Sequence, residues 1–587
     1  FGHNYIRFFK DEGQITSGGS VYEISTTYTA AQLSEIEYVQ SADVLYLVHD
    51  NHKPRKLSRT GHTSWSISDV DFFDGPYDPG NTSSTTLTPS GTSGSVTVTA
   101  SSSVFVANDV GRSVRIKHSS TWGFGIITAF GSATSVTVAV NADRNYGGTS
   151  AVTDWRLGSF YIDNYPTKIT FFEERLFYAG TAQQPSTVFS SMSADFDKFS
   201  PTSVDGSVND DNGLQFTLVS DQVNQITGMY GGKFLHIFTK NGAFNMSSGS
   251  ATAGLTPTTI QVINETNDGA ADKKVSPASK SILFIGKNKK RLREFAYNID
   301  YDSFTTPDMT VLSEHVGFGG FEECYFANYP NNILWVRRGD GVLLGFTYYR
   351  DQDVTAWHRH TIAGTNAKVK SIAVIPGVDD AFDTLYMIVE RTINSATKQY
   401  VEFLEQDFRG ADGDTKDDQF YVDSGLTYSG SSATTISGLS HLEGQTVAVL
   451  NNGAVEANKT VSSGAITLTN ATTKCHVGLP FTAELESVNV EPKSQYGTTQ
   501  GKRGRIDKVI FRLFETVGLK AGPASSSVDV VPFRTTTSTM SATDPKTGDY
   551  TFLMPATYTT ENKLYVKSDT AQACTISAIM IQMSTYS

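Results

Sequence analysis

An all-β protein whose body is a β-propeller is the fold that the sequence predicts. A leucine followed by an aromatic residue, or once by histidine, opens a strand-like run at six places: Leu45-Tyr46, Leu176-Phe177, Leu235-His236, Leu283-Phe284, Leu334-Trp335 and Leu385-Tyr386. From Leu235 onward these leucines recur about every 50 residues, and repeats of this length in an alternating apolar pattern indicate a radial array of four-stranded sheets. We therefore expect six blades, with seven as the alternative, and each blade beginning with its leucine-aromatic strand.

The much longer gap between Leu45 and Leu176 contains a segment of different composition, since Ser and Thr make up most of 82–103. Taking 78–157 out of this gap leaves the same spacing as in the later repeats. We interpret 78–157 as a small β-barrel or β-sandwich module inserted at an exposed turn, where chains tolerate insertion best. The gap between Leu176 and Leu235 is also longer than the repeat, and it has no such explanation.

Turn signals divide the remaining chain. Gly339-Asp340-Gly341 separates two apolar runs and supplies the positive φ that a tight hairpin needs. Short strands separated by Asn-Asn-Gly and Ser-Ser-Gly predict a second β module at 424–485. The expected organisation is then a propeller from 1–77 and 158–423, modules at 78–157 and 424–485, and a C-terminal β region at 486–587. That last region is either a separate sandwich or platform, or strands that close the ring with 5–9.

Helical spacing of apolar residues occurs only at 29–38, where Glu35 and Glu37 would lie on the exposed side. No apolar run is long enough to span a bilayer. The first residue is not Met, so we expect that the chain lacks its first residues. The net charge of −13 argues against a broad basic surface that grips nucleic acid, and three well-separated cysteines argue against a disulfide framework.

Candidate binding residues are few. An acidic loop is typical of calcium sites but lacks the glycine and terminal glutamate of an EF-hand, so it is a weak candidate: Asp412, Asp414, Asp417 and Asp418. A basic hairpin turn could face a partner or DNA, although a solvated turn is the alternative: Lys287, Lys289, Lys290, Arg291 and Arg293. It fails as a P-loop because the upstream glycine and the following Ser or Thr are missing.

Histidines form two further groups. His358 and His360 share one face of a strand and either bind a metal or form a structural pair that stacks with Trp357. His49, His52 and His62 surround a basic stretch and either contact phosphate or a partner subunit, or belong to a solvated hairpin. No nucleophile motif is present, and the adjacent acids at 173–174 and 322–323 point to opposite faces of a strand. We expect no catalytic residues, no cofactor, no firm metal site and no enzymatic activity.

Several segments together resemble the tail nozzle, or tail tubular, proteins of short-tailed bacteriophages, and they occur in that family's order. They are SADVLYLVH at 41–49 with PRKL at 54–57, YP at 165–166 with ERLFYAGT at 174–181, DMTVLSEH at 308–315, and GVLLGFTY at 341–348 with AWHRH at 356–360. The stretch 435–479, with HLEGQ at 441–445 and HVGL at 476–479, is similar to a module that many of these proteins carry.

The resemblance implies a virion protein of the phage tail that forms a homo-hexameric ring. Such a ring lies below the head-to-tail adaptor, continues the DNA channel, retains the genome until infection, and contacts tail fibres or spikes. Double-stranded DNA would pass through without sequence-specific binding. An acidic channel wall would repel phosphate, so closure of the exit would hold the DNA.

A tail spike or adhesin that binds or degrades glycans is the rival prediction. Propellers host glycosidases, and the many aromatic residues could stack on sugars. The aromatic residues follow the strand period, as core residues do, and no acid pair stands out, so this function ranks second.

Overall fold

The computed structural model describes residues 1–219, 224–250, 253–377, 382–492, 498, 500–533 and 542–585. These residues form short strands, and their helices are six 3-10 turns: Leu33–Glu35, Ala107–Asp109, Glu314–Gly317, Arg350–Gln352, Gly410–Asp412 and Ser440–Leu442. None of the helices in the described part is long and apolar enough to cross a membrane. Parts of the predicted C-terminal region, 493–497, 499, 534–541 and 586–587, lie outside the described residues.

The helix predicted over 29–38 is wrong. Only Leu33–Glu35 is helical, and a strand begins at Glu37. The Gln32 side chain accepts a hydrogen bond from the backbone N–H of Thr29 at 2.9 Å, which closes a local turn instead of an α-helical one.

The chain divides into two compact units, residues 1–328 with 348–355 and residues 329–347 with 356–587. The first unit opens with a nested set of hairpins in which the outer pair is β1 with β6 and the inner pairs are β2 with β3 and β4 with β5. Their bounds are β1 (Tyr5–Arg7), β2 (Phe9–Lys10), β3 (Gly13–Gln14), β4 (Thr16–Ser17), β5 (Ser20–Val21) and β6 (Glu23–Ser25).

Four antiparallel four-stranded meanders follow in this unit, and they are the blades of a β-propeller, which confirms the predicted fold class. Blade one is β7 (Glu37–Ser41), β8 (Val44–His49), β9 (His52–Gly61) and β10 (Ser64–Asp69). Blade two is β17 (Lys168–Phe172), β18 (Arg175–Ala179), β19 (Thr187–Ser190) and β20 (Gln215–Thr217). Blade three is β21 (Ile226–Gly231), β22 (Leu235–Thr239), β23 (Gly242–Ser247) and β24 (Gln261–Thr266). Blade four is β25 (Ser276–Ala278), β26 (Ser281–Ile285), β27 (Leu292–Asn298) and β28 (Ser303–Thr305).

Residues 78–157, between blades one and two, contain a six-stranded antiparallel sheet with its own core. In spatial order the strands are β11 (Leu87–Pro89), β12 (Gly94–Ala100), β15 (Ser135–Val140), β14 (Thr121–Ser132), β13 (Ser113–His118) and β16 (Trp155–Leu157). One hydrophobic cluster, from Leu87 to Leu157, is built from these residues alone. Tyr77 and Gly158 form a β-bridge, so both ends of this module meet at one point of the blade scaffold.

The fifth repeat, where the unit division falls, comprises β29 (Phe321–Ala327), β30 (Ile333–Arg338), β31 (Leu343–Tyr349) and β32 (Val354–His360). In the second unit β30 pairs with β31, and Gly341 takes the positive φ expected of the connecting turn. The sixth repeat is the three-stranded sheet β33 (Lys368–Pro376), β34 (Asp383–Ile393) and β35 (Ala396–Phe403).

Two further β structures complete the second unit. A four-stranded sheet in the order β36 (Asp423–Ser437), β39 (Ala465–Leu479), β37 (Thr446–Asn451) and β38 (Ala454–Thr460) has its own core. The C-terminal strands are β40 (Ala483–Glu486), β41 (Gly504–Thr516), β42 (Lys520–Ala524), β43 (Ser527–Val530), β44 (Lys546–Leu553), β45 (Tyr565–Ser568) and β46 (Thr575–Thr585). They form two sheets, β40-β45-β42-β43 and β44-β41-β46, which share one core. The C-terminal region is therefore a sandwich, and β1 pairs with β6 instead of with these strands.

All six leucine-aromatic pairs lie on the second strand of their repeat, in β8, β18, β22, β26, β30 and β34, so the expectation that each pair opens its blade is wrong. The second strand is an inner strand of its sheet, which favours an apolar run, although burial alternates along β34. In β18, β22 and β26 every residue is buried.

A long connection between β19 and β20 accounts for the extended gap between Leu176 and Leu235 in blade two. The buried guanidinium group of Arg175 fastens this connection, donating to the carbonyl oxygens of Ser191 at 3.0 Å, Asp210 at 2.6 Å and Asn212 at 2.6 Å. The charged guanidinium group on the second strand thus anchors the loop through hydrogen bonds to the loop's backbone carbonyl oxygens.

Candidate functional site

The turn between β8 and β9 brings together two of the three histidines that the sequence groups. His49 and His52 are register partners, with ring centroids 5.3 Å apart. His62 lies apart, with its Nδ1 atom 3.1 Å from Arg59 Nη2. His52 Nε2 is 3.2 Å from Gln32 Oε1, and burial followed by a neighbouring arginine charge lowers the pKa of His52. The structure therefore assembles a histidine pair and not a cluster of three.

Two carboxylates complete this pair, and we name the group Glu35, His49, Asp50, Asn51 and His52 the histidine turn. The His49 side chain is 0% exposed, with Nε2 3.2 Å from Glu35 Oε2 and Nδ1 2.8 Å from Asp50 Oδ1. The backbone N–H of Asn51 donates to His49 Nδ1 at 3.1 Å. The sequence does not point to Glu35, because the helical spacing over 29–38 places it on an exposed helix face, although His-Asp-Asn-His at 49–52 is a signal for a site at this hairpin.

The basic turn, residues 286–293, comprises the connection between β26 and β27 and the first residues of β27, and most of its positive charges are neutralised by nearby carboxylates. Its ion pairs are Lys289 with Glu322 at 3.0 Å, Arg293 with Asp268 at 2.9 Å, and Arg291 with both Asp308 and Glu314, the latter at 2.8 Å. Lys287 donates to Asn241 Oδ1 at 2.7 Å, and Lys290 is exposed. Four of the five cations are thus held by partners within the protein, which leaves little free charge for DNA or another anion.

The acidic loop does not gather its carboxylates around one point. Asp418 pairs with Lys474 and accepts from Thr415 at 2.7 Å, while Asp414 accepts from the Arg409 N–H at 2.9 Å. Burial acts to raise the pKa of Asp418, but the bonds from Lys474 and Thr415 outweigh it and lower the pKa to about 2. Asp412 lies in a 3-10 turn, and Asp417 contributes its carbonyl oxygen to His476. Within the described ranges, three residues that could ligate a metal ion lie close together at the histidine turn and not at this loop.

His358 and His360 form a structural pair within the second unit. His358 Nδ1 lies 2.7 Å from His360 Nε2, and both rings pack edge-on against Trp335. The predicted stacking partner Trp357 packs on Phe346 instead. Burial, with His358 nearby, lowers the pKa of His360 to about 4, so this pair is neutral near pH 7.

The cysteines and the adjacent acids lie in surroundings that make them poorly reactive. Cys324, Cys475 and Cys574 are free, and burial raises their pKa values to about 12, 12 and 11. Thiols with such pKa values stay protonated and are poor nucleophiles. Glu173 accepts from the Leu255 N–H at 2.6 Å, and Glu322 is held by lysines.

An arginine cluster in the first module was missed from the sequence. Buried Arg115 pairs with Asp74 at 3.2 Å, and three cations lie over the Trp122 ring, Arg115 at 4.6 Å, Lys117 at 5.5 Å and Arg156 at 5.7 Å. The spacing of Arg115 and Lys117, two positions apart on β13, places both on one face and could have revealed the cluster. Through Asp74, this cluster ties the module to the chain that precedes it.

Comparison with known proteins reveals similarity at the level of solved structures only, since neither a family profile nor a curated protein matches the sequence. Similar structures include the periplasmic gluconolactonase of Pseudomonas aeruginosa, at 12% identity and a TM-score of 0.26 over 63% of this chain and 97% of that one. A candidate 6-phosphogluconolactonase from Bacteroides uniformis has 11% identity and a TM-score of 0.24 over 62% and 96%. The β-propeller domain of Cps50 from Myceliophteria thermophila has 9% identity and a TM-score of 0.25 over 52% and 88%.

The expectation that the chain is not an enzyme requires correction. Two of these three similar structures are named as lactonases, so the scaffold gives no ground for excluding catalysis. The identities and TM-scores are too low to carry an activity over to this chain.

Proposed function

We propose that this protein is a structural component of a phage virion, the tail nozzle, in which six copies form a ring below the head-to-tail adaptor. The observation that carries the proposal is the first module, which has its own core and is inserted where Tyr77 bridges Gly158. A scaffold of blades with peripheral modules suits a protein that works by assembly. Most of the segments that resemble nozzle proteins lie on strands of the first, second and fifth repeats.

Passage of DNA without adhesion is part of the proposal. The net charge is −13. The densest basic segment is the basic turn, and its cations form ion pairs with four carboxylates, those of Glu322, Asp308, Glu314 and Asp268. A basic turn whose cations are paired internally gains little from phosphate contacts, so DNA would move past it without being held. Tail fibres or spikes would then bind the modules at 78–157 and 424–485.

Mass measurement of the purified full-length chain, alone and mixed with the adaptor ring of the same virion, tests the assembly. A ring of six copies, coaxial with the adaptor in electron micrographs, is the expected result. A chain that stays monomeric with the adaptor, or a trimer that cleaves host polysaccharide, would overturn the proposal.

A deletion variant tests the role of the first module. Replacing 78–157 by one glycine joins two bridge partners, Tyr77 and Gly158, that already lie side by side. We expect the shortened chain to keep its β circular dichroism and cooperative melting but to assemble poorly. The matched control is the equivalent excision of 424–478, whose flanking residues Asp423 and Leu479 also pair directly. If removal of the first module leaves ring formation intact, the module has no part in assembly.

A further inference from the structure

We propose that the histidine turn binds a divalent transition-metal ion of the zinc class, with Glu35 and His49 as direct ligands and Asp50 as the residue that positions His49. One ligand atom from each of these three residues lies within 4.8 Å of the others. This inference does not depend on the proposed assembly.

The nitrogen that would bind the ion is His49 Nε2. It is buried and has no hydrogen-bond partner, although Glu35 Oε2 lies 3.2 Å away. A buried polar atom without a partner costs free energy, and an ion between Nε2 and the Glu35 carboxylate removes that cost. A separation near 3.2 Å is also what two ligands of one ion show when each bond is about 2.0–2.2 Å long.

The opposite ring edge has the partner that such a ligand needs. When a metal ion occupies Nε2, the imidazole proton resides on Nδ1, and Asp50 Oδ1 lies 2.8 Å from that atom. Metal-bound histidines commonly donate their second N–H to a carboxylate, which fixes the tautomer and the ring orientation. In the metal-free chain Nδ1 accepts the Asn51 N–H, so binding the ion at Nε2 puts the imidazole proton on Nδ1, where it is donated to Asp50, and gives up the hydrogen bond from Asn51.

The surroundings permit an ion to enter. The Glu35 and Asp50 side chains are 64% and 58% exposed, so the site opens to solvent, and water completes the coordination sphere. His49 is buried at the end of β8, so one ligand is already in place. Two carboxylates beside one imidazole favour a cation, and imidazole selects zinc-class ions over calcium or magnesium.

Binding would fasten two separate parts of the first unit. Glu35 lies in the 3-10 turn Leu33–Glu35, while His49 and Asp50 lie at the turn after β8. An ion shared between them links the segment that precedes blade one to the blade itself.

Titration of the full-length, chelator-treated protein with zinc chloride, followed by calorimetry, tests the site. We expect one ion per chain and at least a tenfold loss of affinity in Glu35→Gln, a change at an exposed side chain that leaves folding intact. Glu174→Gln is the matched control, because Glu174, like Glu35, is an exposed acid in a turn, and this variant should bind zinc as the natural chain does.

Cobalt substitution supplies a second measurement that does not rely on affinity alone. The visible spectrum of bound Co²⁺ should show the ligand-field bands of a nitrogen-oxygen site, and these bands should vanish in His49→Gln. Circular dichroism establishes that this variant is folded. Zinc binding that is absent from the natural chain, or equally tight in Glu35→Gln, would overturn the proposal.

Discussion

The histidine turn and the basic turn occupy the same position in two different blades, the connection from the second strand to the third, yet they differ in how their polar atoms are satisfied. In the basic turn, three of five cations are paired with carboxylates, and a fourth donates to an amide. In the histidine turn, a buried imidazole nitrogen has no hydrogen-bond partner. A dense charge pattern in the sequence therefore marks internal pairing, whereas an unsatisfied buried atom marks a candidate site.

The largest effect is expected for Asp50→Asn, which should lower the zinc affinity of the histidine turn. An amide can still lie against His49 Nδ1, but it lacks the charge that stabilises the Nδ1–H tautomer, so zinc affinity should fall about 10- to 100-fold. Calorimetry measures the affinity, and an unchanged melting temperature of the metal-free protein separates this role from a purely structural one. Equal zinc affinity in the two chains would remove Asp50 from the site.

Asp308→Asn should remove one of the ion pairs that neutralise the basic turn, the pair between Asp308 and Arg291. The Asp308 side chain pairs with Arg291 and accepts from the Thr310 N–H at 2.8 Å. Losing a partly exposed charged interaction of this kind should cost the first unit about 1–2 kcal/mol. Thermal unfolding followed by tryptophan fluorescence measures the loss. Asp300→Asn, at an exposed acid of the same blade, is the control, and an equal loss there would show that the Asp308 contacts are unimportant.

The stabilisation by the Asp308 carboxylate should depend on pH, which gives a second test of its contacts with Arg291 and Thr310. Partial burial acts to raise the pKa of Asp308, but hydrogen bonds from Thr310 and Arg291 and the charge of Arg291 outweigh it and hold the pKa below its usual value. Because the folded pKa is the lower one, the stabilisation is fully present above the unfolded pKa of about 4 and disappears as pH falls through the folded pKa. The melting difference between the natural chain and Asp308→Asn should stay constant from pH 7 to about 5 and shrink as the pH falls below the unfolded pKa. A difference that begins to shrink at pH 6 contradicts this origin.

Lys290→Ala should have the smallest effect. Lys290 is exposed, and in the described part of the chain it has no ion pair, unlike its neighbour Lys289. Its removal should change the free energy of unfolding by no more than about 0.5 kcal/mol, as at ordinary surface positions. Lys289→Ala, which leaves Glu322 with one lysine partner fewer, should cost more, and the reverse order would contradict the assignment of partners.

Much of the fold could be predicted because blade strands carry local signals. The leucine-aromatic pairs mark a central strand in each repeat, and the foreign composition of 78–157 marks the segment that holds an independent core. The order of strands within a blade was misjudged, since the sequence identifies the most buried strand and not the first one. The candidate site was only half predicted: His49 and His52 were grouped, but Glu35 was assigned to a helix that does not form.

The sequence by itself determined the repeat, the alternating strands and the places where turns and modules interrupt them, because these depend on residues that are neighbours along the chain. Only the tertiary structure decided which charges are neutralised and which nitrogen is left without a partner. Glu322 reaches Lys289 across 33 positions, and Glu35 reaches His49 from a separate turn. Such partners are brought together when segments that are distant along the chain pack against each other. The pattern of residues along the sequence does not show which distant side chains will meet.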